Sequence, residues 1–302
     1  MTERRPTVSI VTPSFNQAQF LEEAMQSVLA QTYPHVEYVV IDGGSSDGSA
    51  EIINRYASRL AYSVSEPDRG QYDAINKGFA KTTGEIMAWL NSDDKYTSWA
   101  LSVVAEIFSS FPEIEWVTSL HPVSWNPRGQ AVAVDFTGGF SRHAFVRGAN
   151  FPAEGSYGRR WIQQESTFWR RSLWERAGGR LDTGLSMAAD FELWARFYDH
   201  AELFGIQGLL GGFRAHGAQR SVLCRDRYMA EAEQVLRAKG AWPTGRIETI
   251  TRGILWKIFR QYSLASLPKY LQMLLFRTGI CCPARVVVWS GKEWEIITGF
   301  TV

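Results

Sequence analysis

Cysteine is scarce in this sequence, and the few cysteines present do not form a metal-binding or disulfide pattern. They are Cys224, Cys281 and Cys282 in a chain of 302 residues. Their spacing does not match that of a zinc site, and an odd number of cysteines argues against a disulfide framework. The cysteine content therefore predicts a protein of a reducing compartment, and we expect it in the cytoplasm.

Long apolar runs and a strong charge imbalance are also lacking. No stretch reaches the roughly 18 apolar residues that a membrane-spanning helix needs, and Met1–Pro6 does not resemble the start of a signal peptide. The net charge of +1 gives no reason to expect a nucleic acid partner. Because the apolar content of 45% is ordinary, we expect one large globular α/β domain, with or without a C-terminal extension.

Two common phosphate-binding motifs are missing as well. The glycines after the second predicted strand, Gly43, Gly44 and Gly48, do not form G-x-G-x-x-G, and no glycine-rich loop continues into G-K-[ST]. These absences argue against an NAD-dependent enzyme and against a P-loop enzyme.

What the sequence does contain is an alternation of predicted strands and helices. Apolar runs predict strands at 8–11, 38–41, 60–65 and 86–90. Helical periodicity or capping patterns predict helices at 16–29, 50–56 and 70–80. This order is typical of a mostly parallel sheet with helices on both faces, in which ligands bind at the carboxyl ends of the strands.

Carboxylates follow two of these predicted strands. Asp93 and Asp94 come directly after an apolar run, where they would be costly to desolvate without a cation. Mg²⁺ and Mn²⁺ prefer such oxygen ligands and often share them with substrate phosphates. Alternatively, the two carboxylates cap the helix predicted at 98–111. Asp42 either accepts a hydrogen bond from a nucleobase or ribose, or forms a local Asx-turn.

Several segments, taken together, resemble glycosyltransferase family 2. They are 8–16, 31–34, 40–48 and 90–94, and they occur in the order and at the spacing of that family. The resemblance is dense from residue 8 to 100, continues in patches to about residue 216, and lapses after about residue 225. It implies an inverting, metal-dependent enzyme with a type-A glycosyltransferase fold.

The resemblance implies a nucleotide-binding site in the first third of the chain. The residues that it assigns to this site are Thr12, Pro13, Ser14, Asn16, Asp42, Asp68, Asp73, Asn76, Asn91 and Ser92. Asp42 would bond the base, and Asp68 would be a second base contact or else a turn or helix cap. Asn91 stands where the family often has the first aspartate of Asp-x-Asp, which leaves Asp93 as the principal carboxylate on Mn²⁺ or Mg²⁺.

The resemblance also implies a catalytic base and acceptor contacts in the second half. The implied acceptor-binding residues are Gln164, Glu165 and Trp194. Asp190 would be the general base that deprotonates the acceptor hydroxyl, although the start of a helix also suits an N-cap. His216 would complete the metal shell or touch the diphosphate, but a single histidine can equally be structural.

We therefore predict a glycosyltransferase with an α/β type-A fold. We expect a catalytic domain over 1–240, divided into a nucleotide-sugar half (1–120) and an acceptor half (121–225), and a helical C-terminal extension over 241–302. Its partners would be a UDP-sugar and a hydroxyl of a glycan or lipid-linked glycan, in the synthesis of cell-surface polysaccharide or glycoconjugates. Since the Q-x-x-R-W motif of processive synthases is absent, we expect addition of a single sugar.

Two alternatives come from other classes of protein. A sugar nucleotidyltransferase also binds nucleotides at strand ends, but it would need a basic N-terminal loop, and 12–20 contains no lysine or arginine. A non-catalytic protein that kept the fold as a nucleotide-sugar-binding scaffold is supported by Asn91 alone. Release of UDP from a sugar donor would separate these alternatives from a transferase.

The region 250–277 mixes large apolar residues with basic ones such as Lys257 and Arg260. Helices of this composition can lie in a membrane interface and meet anionic head groups. Alternatively, the region forms a helical hairpin with a break at Pro268, packed on the catalytic domain or on a second subunit. A membrane contact would place the protein on the inner face of the membrane, near a lipid-linked acceptor.

Overall fold

Strands and helices alternate through the first third of the computed structural model, which describes residues 5–148, 150, 161–241 and 282–301. The elements are β1 (Val8–Ser14), α1 (Ala18–Leu29), β2 (Val36–Asp42), α2 (Ser49–Arg55), β3 (Tyr62–Ser65), α3 (Gln71–Phe79), β4 (Ile86–Trp89), β5 (Lys95–Tyr96) and α4 (Ala100–Ser110). A short 3₁₀ helix follows α2 at Ala57–Arg59. The strands and helices predicted in this region are confirmed.

The elements after α4 are shorter and less regular. They are β6 (Trp116–Ser119), β7 (Val123–Trp125), β8 (Ala131–Val134), α5 (Arg142–Val146), β9 (Thr167–Arg170), α6 (Arg171–Arg176), α7 (Ala189–Phe197), β10 (Leu203–Ile206), β11 (Gly211–Arg214), α8 (Arg220–Leu223), α9 (Arg225–Ala238), β12 (Cys282–Trp289) and β13 (Trp294–Thr301). A 3₁₀ turn at Gln164–Ser166 leads into β9.

The central sheet of the described residues has nine strands in the order β13-β12-β10-β6-β9-β4-β1-β2-β3. Seven of them run in one direction, whereas β9 is antiparallel to both β4 and β6, and β13 is antiparallel to β12. Every residue of β1 and β4 is buried, as expected for strands covered on both faces. The predicted type-A arrangement, a mostly parallel sheet flanked by helices, is confirmed.

The carboxyl ends of the central strands lie side by side. Ser14 at the end of β1 pairs with Asp42 at the end of β2, and Val11 pairs with Trp89 at the end of β4. Helix α3 packs closely over β1 because Gly78 has no side chain; a Cβ atom there would lie 2.4 Å from Val11 Cγ1. The predicted convergence of the strand ends at one edge of the sheet is confirmed.

A second sheet of four strands, β5-β11-β7-β8, follows the carboxyl ends of the central strands. Strand β5 begins one residue after Asp94 and pairs antiparallel with β11, in the register Gly211 to Tyr96 and Gly212 to Lys95. This pairing brings the segment after β11, including His216, to the segment after β4. Two regions more than a hundred residues apart in the chain thereby meet.

Tryptophan is concentrated in the core. Trp194 of α7 stacks on Trp89 at a centroid distance of 6.0 Å and on Trp116 at 5.6 Å, and it is 1% exposed. The acceptor contact implied for Trp194 is therefore not supported by the structure, because this position on α7 faces the sheet. The high tryptophan content serves packing at these positions.

The C-terminal residues differ from the predicted helical extension. Strand β12 pairs parallel with β10, and β13 pairs antiparallel with β12, so both extend the central sheet. In β12, Ala284 and Val286 are buried while Pro283 and Arg285 are exposed, a period of two that is typical of a half-buried strand. The helical prediction is therefore wrong for 282–301.

The proposed membrane-contacting region, 250–277, lies outside the described residues. Within the described ranges, no helix has the length and apolar content needed to span a membrane. The division into a domain at 1–240 and an extension from 241 stays a prediction.

Candidate active site

A cleft of about 740 Å³ lies at the carboxyl ends of β1 and β4. Its walls come from the end of β1, the start of α3, the segment after β4, the turn before β9, the start of α7 and the segment after β11. The predicted site residues that line it are Pro13, Ser14, Asp68, Asn91, Ser92, Asp93, Gln164, Glu165 and Asp190. Predicted nucleotide-binding residues, the predicted metal ligand Asp93 and the predicted base Asp190 thus meet in one cavity, whereas His216 does not line it.

Asp93 and His216 form a direct contact at one wall. His216 Nε2 lies 3.0 Å from Asp93 Oδ2, and the Phe20 ring packs on the imidazole at a centroid distance of 4.6 Å. The Asp93 side chain remains 21% exposed, whereas that of His216 is 7% exposed. Asp93 therefore faces the cleft, with His216 held behind it.

This pair fits a divalent cation that also binds phosphate. A carboxylate suits Mg²⁺ and Mn²⁺, and an imidazole is a ligand of transition metals. Mg²⁺ commonly uses only one or two carboxylates together with substrate phosphates. Nowhere in the described part of the chain do three or more His, Cys, Asp or Glu side chains form a cluster that could hold a metal. Phosphate oxygens and water would have to provide the remaining ligands.

Asp94 has a different environment from its neighbour. It is 1% exposed, and it accepts hydrogen bonds from the Arg214 backbone N–H at 2.8 Å and from Asn91 Nδ2 at 3.1 Å. Burial, together with the nearby charges of Asp93 and Glu165, raises the pKa of Asp94 well above its usual range. The cap of α4 is Trp99, without a side-chain hydrogen bond, so the helix-capping alternative for Asp93 and Asp94 is wrong.

A buried arginine holds the loop that carries both aspartates. Arg214 is 1% exposed; its Nε donates to the backbone oxygen of Asp93 at 2.6 Å, and its guanidinium pairs with Glu23 of α1 at 2.7 Å. Lys95 also bonds Glu23 at 2.7 Å. The sequence analysis missed this network, because its members come from three distant segments.

Asp190 lines the same cleft from the first turn of α7. The N-cap position is Ala188, so the N-cap alternative for Asp190 is wrong. The Asp190 side chain accepts a hydrogen bond from the Tyr228 hydroxyl at 3.1 Å, and burial raises the pKa of Asp190 to about 6. A buried carboxylate that is still largely ionised at neutral pH, with increased proton affinity, suits a general base.

The 3₁₀ turn before β9 contributes Gln164 and Glu165 to the cleft lining. Gln164 donates to the backbone oxygen of Trp89 at 2.6 Å and accepts from Asn91 Nδ2 at 3.2 Å. Burial raises the pKa of Glu165 to about 7, and the negative charges of Asp190 and Asp93 contribute to this increase. Glu165 is thus the third acid of the cleft, after Asp94 and Asp190, whose proton affinity is increased.

The nucleotide side of the cleft is formed by the ends of β1 and β2 with the loop before α3. Asp68 covers Gly43 so closely that a Cβ atom on the glycine would lie 2.9 Å from Asp68 Oδ2. The carboxylate of Asp68 also accepts from the Gly70 backbone N–H at 2.7 Å. Asn91 accepts from Gln71 Nε2 at 2.7 Å, which links the segment after β4 to the start of α3.

Asp42, by contrast, does not line the cleft. It is fully buried and accepts hydrogen bonds from the Ser45 backbone N–H at 2.9 Å, from the Ser45 hydroxyl at 2.6 Å and from the Ser65 hydroxyl at 2.6 Å. These contacts correspond to the alternative in which Asp42 orders its own turn.

Four other residues predicted to bind nucleotide have partners elsewhere. Thr12 is buried and accepts from the Tyr38 hydroxyl at 3.0 Å, and Asn16, at a φ of 51°, accepts from the Ser46 backbone N–H. Asp73 pairs with Arg69 and Lys77. Asn76 bonds the backbone N–H and oxygen of Leu181. Their placement indicates that they support the shape of the site from outside the cleft lining.

One cation in the cleft was not predicted. Arg220 is the sole lysine or arginine among the lining residues that the structure describes. Its guanidinium lies 3.4 Å from Gln71 Oε1 and donates to the backbone oxygen of Ser186 at 3.1 Å. Six acidic residues line the same cavity: Asp68, Asp93, Asp94, Asp135, Glu165 and Asp190. A single arginine at the start of a short helix carries no sequence signal, so only the fold reveals its position.

Comparison with known proteins identifies related sequences. The model of the family described as glycosyl transferase family 2 matches residues 9–121. An uncharacterized glycosyltransferase of Mycobacterium tuberculosis H37Rv is 33% identical over 198 residues, which cover 63% of this chain and 68% of that protein. TuaG of Bacillus subtilis, named for teichuronic acid biosynthesis, is 36% identical over 99 residues, which cover 32% of this chain and 39% of TuaG.

Solved structures share the fold at lower identity. Staphylococcus aureus TarS in complex with UDP-GlcNAc has a TM-score of 0.55 at 14% identity, covering 76% of this chain and 70% of that one. The mannosyltransferase PcManGT of Pyrobaculum calidifontis, in complex with GDP-Man and Mn²⁺, has a TM-score of 0.54 at 21% identity, covering 91% and 80%. Sequence match and fold agree, and the chain is a glycosyltransferase that belongs to glycosyl transferase family 2.

Proposed function

We propose that this enzyme transfers a single sugar, with inversion, from a UDP-sugar to a hydroxyl group of a glycan or lipid-linked glycan, with Mn²⁺ or Mg²⁺ as cofactor. The observation that carries the proposal is that one cleft is lined both by Asp93, whose carboxylate contacts His216, and by the buried carboxylate of Asp190. The first suits a metal-bound diphosphate, and the second suits deprotonation of an acceptor.

The charge of the cleft supports an anionic donor bound together with a cation. Six acidic side chains and one arginine line it, so a diphosphate alone would meet net repulsion. A divalent cation held by Asp93 and His216 would neutralise charge on the leaving diphosphate. Arg220 supplies a second positive charge. The neighbours crystallised with UDP-GlcNAc and with GDP-Man and Mn²⁺ support a nucleotide sugar as the donor.

The transfer step follows from the position of Asp190. The acceptor oxygen forms a bond to the anomeric carbon as its proton passes to the Asp190 carboxylate. The bond between the anomeric carbon and the diphosphate oxygen breaks, and UDP leaves with the electron pair. Because the acceptor attacks from the face opposite the leaving group, the configuration inverts.

Gln164 and Glu165 are our proposed acceptor contacts. Both line the cleft, and Glu165 is close enough to Asp190 for the charge of one to raise the pKa of the other. A carboxylic acid whose pKa is about 7 can donate or accept a hydrogen bond with a sugar hydroxyl. The similarity to TuaG supports a glycan acceptor in polysaccharide synthesis.

Calorimetry with UDP tests the metal assignment. We expect UDP to bind in the presence of Mn²⁺ or Mg²⁺, and binding to be lost with EDTA or in Asp93→Ala. Glu113→Ala, which changes an exposed acid outside the cleft lining, should bind UDP as the wild type does. Equal UDP affinity with and without EDTA, unchanged in Asp93→Ala, would contradict the proposal. A screen of nucleotide sugars for slow hydrolysis then identifies the donor.

A further inference from the structure

Helix α9 lies beyond the family match and beyond the segments that resemble the family, yet it reaches the candidate base. It packs against α7, the helix that carries Asp190. Two of its residues, Tyr228 and Glu231, stand three positions apart and therefore on the same face of the helix. Both contact the segment 186–190.

Glu231 binds the backbone in front of α7. Its carboxylate accepts from the Ser186 N–H at 3.1 Å, from the Ser186 hydroxyl at 2.8 Å, from the Met187 N–H at 2.8 Å and from the Ala188 N–H at 3.0 Å. Helix α7 has no side-chain cap of its own. The Glu231 carboxylate therefore bonds the N–H of the N-cap residue Ala188 and those of the two residues before it, and so holds the segment that leads into α7.

Tyr228 acts on Asp190 itself. Its hydroxyl donates to Asp190 Oδ1 at 3.1 Å, and both side chains are buried. Tyr72 of α3 holds the same segment from the other side, because its hydroxyl donates to the Met187 backbone oxygen at 2.5 Å and accepts from the Ala189 N–H at 3.3 Å. Helix α9 thus bonds the Asp190 carboxylate directly. Helices α3 and α9 bond the backbone of the residues just before it, 186–189.

We infer that Tyr228 and Glu231 are positioning residues for the transfer step: Tyr228 orients and stabilises the ionised Asp190 carboxylate, and Glu231 fixes the start of the helix that presents it. This inference rests on the proposed role of Asp190 as the base. It assigns a function to α9. The sequence analysis predicted no functional residue in this helix.

The two residues act on the acidity of Asp190 in opposite directions. The hydrogen bond from Tyr228 lowers the pKa of Asp190, and the negative charge of Glu231 raises it, both against the larger increase caused by burial. The titratable and charged groups around this site are Tyr72 on α3, Glu165 before β9, Arg220 on α8, and Tyr228 and Glu231 on α9.

The test measures the pKa of Asp190 directly, by carboxyl ¹³C NMR of protein labelled at aspartate, with the signal assigned by Asp190→Asn. Tyr228→Phe removes the donor and keeps the ring, so the pKa should rise by about 0.5–1 unit, as expected for loss of one hydrogen bond. Glu231→Gln should lower it. The matched control is Tyr198→Phe, since the buried Tyr198 hydroxyl has no hydrogen-bond partner among the described residues.

Two further measurements separate positioning from general stability. Hydrogen exchange of the amides at 186–188 should accelerate in Glu231→Gln and remain slow in Tyr198→Phe. Once a donor is known, Tyr228→Phe should shift the acid limb of kcat to higher pH by the amount seen in NMR, with the KM for the donor unchanged. An unchanged Asp190 pKa in Tyr228→Phe, or unchanged exchange in Glu231→Gln, would overturn the inference.

The results of the NMR titration and of the exchange experiment do not depend on the proposed function. The NMR titration and the exchange experiment need no substrate, so they decide on the positioning contacts whether or not transfer is observed. Absence of metal-dependent UDP binding in the wild type would contradict the proposed function alone. Metal-dependent UDP binding with an unmoved pKa in Tyr228→Phe would contradict the positioning role alone.

Discussion

The two walls of the cleft are built in different ways. The metal wall, defined by 91–94 with 214–216, is held by the buried cation Arg214, which bonds the backbone of Asp93 and pairs with Glu23. The base wall, defined by 186–190, is held by Tyr72, Tyr228 and the carboxylate of Glu231. A buried cation thus holds the backbone of the first wall, whereas no cation bonds Asp190 in the described residues.

This difference suits the chemistry of each side. At the metal wall the arginine bonds a backbone oxygen, and the Asp93 carboxylate contacts His216 and faces the cleft. A general base must accept a proton, and burial without a cationic partner raises the pKa of Asp190 to about 6. Aspartates at the two walls therefore differ in the partners that the fold places around them, and our proposal gives them different roles.

The largest expected effect is on the base wall. Asp190→Asn should lower kcat by about 10²–10⁴-fold, the usual contribution of a positioned general base. UDP affinity in Mn²⁺ should be unchanged, because the metal wall stays intact. Steady-state kinetics with calorimetry checks both. Transfer at near the wild-type rate would show that the base is another residue, with Glu165 as the next candidate.

At the metal wall, substitution of the buried Arg214 should mainly lower the free energy of unfolding. Arg214→Met removes a buried cation, leaves the Asp93 backbone oxygen without its donor and leaves Glu23 with Lys95 as its remaining partner, so the free energy of unfolding should fall by about 1.5–3 kcal/mol. Metal-dependent UDP binding should weaken as well, although Arg214 does not line the cleft. Urea denaturation measures the first effect.

Arg176→Met is the control for that measurement, because its ion pair with Glu115 lies at the surface. Surface pairs contribute about 0–1 kcal/mol. If the two variants lose equal stability, Arg214 has no special part in holding the metal wall.

A smaller effect is expected from Arg220. Its guanidinium bonds the base wall at the Ser186 oxygen and contacts Gln71 at the start of α3. Arg220→Ala should weaken UDP binding by about tenfold or more, since a hydrogen bond to a charged group contributes about 1.5–3 kcal/mol. Uridine, which lacks phosphate, should bind equally to both proteins. Arg237→Ala, on α9 outside the cleft lining, is the control, and equal loss of uridine binding would argue against a phosphate contact.

The smallest effect is a pH dependence of stability confined to the base wall. The pKa of Asp190 in the folded protein is about 6, against an ordinary value of 3.8, so the folded state binds the proton more tightly. Stability from this group is full below about pH 4 and is lost as the pH rises through 6. Asp190→Asn should therefore gain stability relative to the wild type as the pH rises over this range, measured as Tm.

Glu231, which holds the same wall, has a pKa that is shifted in the opposite direction from that of Asp190. Hydrogen bonds from Met187, Ser186 and Ala188 lower its pKa to about 2, from an ordinary 4.5, despite partial burial. Its contribution is present above about pH 4.5 and is lost as the pH falls through 2. Glu231→Gln should therefore lose stability relative to the wild type at neutral pH. Parallel pH profiles for the two variants would contradict this account of the base wall.

The sequence alone determined the parallel sheet, the edge at which the site lies and several residues that line it. Buried parallel strands require continuous apolar runs, and the polar residues that end them must lie at the carboxyl edge. For that reason Ser14, Asn91 and Asp93 could be located from their neighbours in the chain. The resemblance to the family added Asp190, Gln164 and Glu165, which also line the cleft.

Tertiary structure alone decided which side chains hold these residues. His216 meets Asp93 across 123 positions, and Tyr72 meets Met187 across 115, and such pairings leave no periodic trace in the sequence. The same reason explains why Trp194 and Asp42 are buried, why 282–301 joins the sheet, and why Arg220, Tyr228 and Glu231 were missed. Local pattern fixes an element and its buried face, but partners contributed by distant segments depend on how the elements pack.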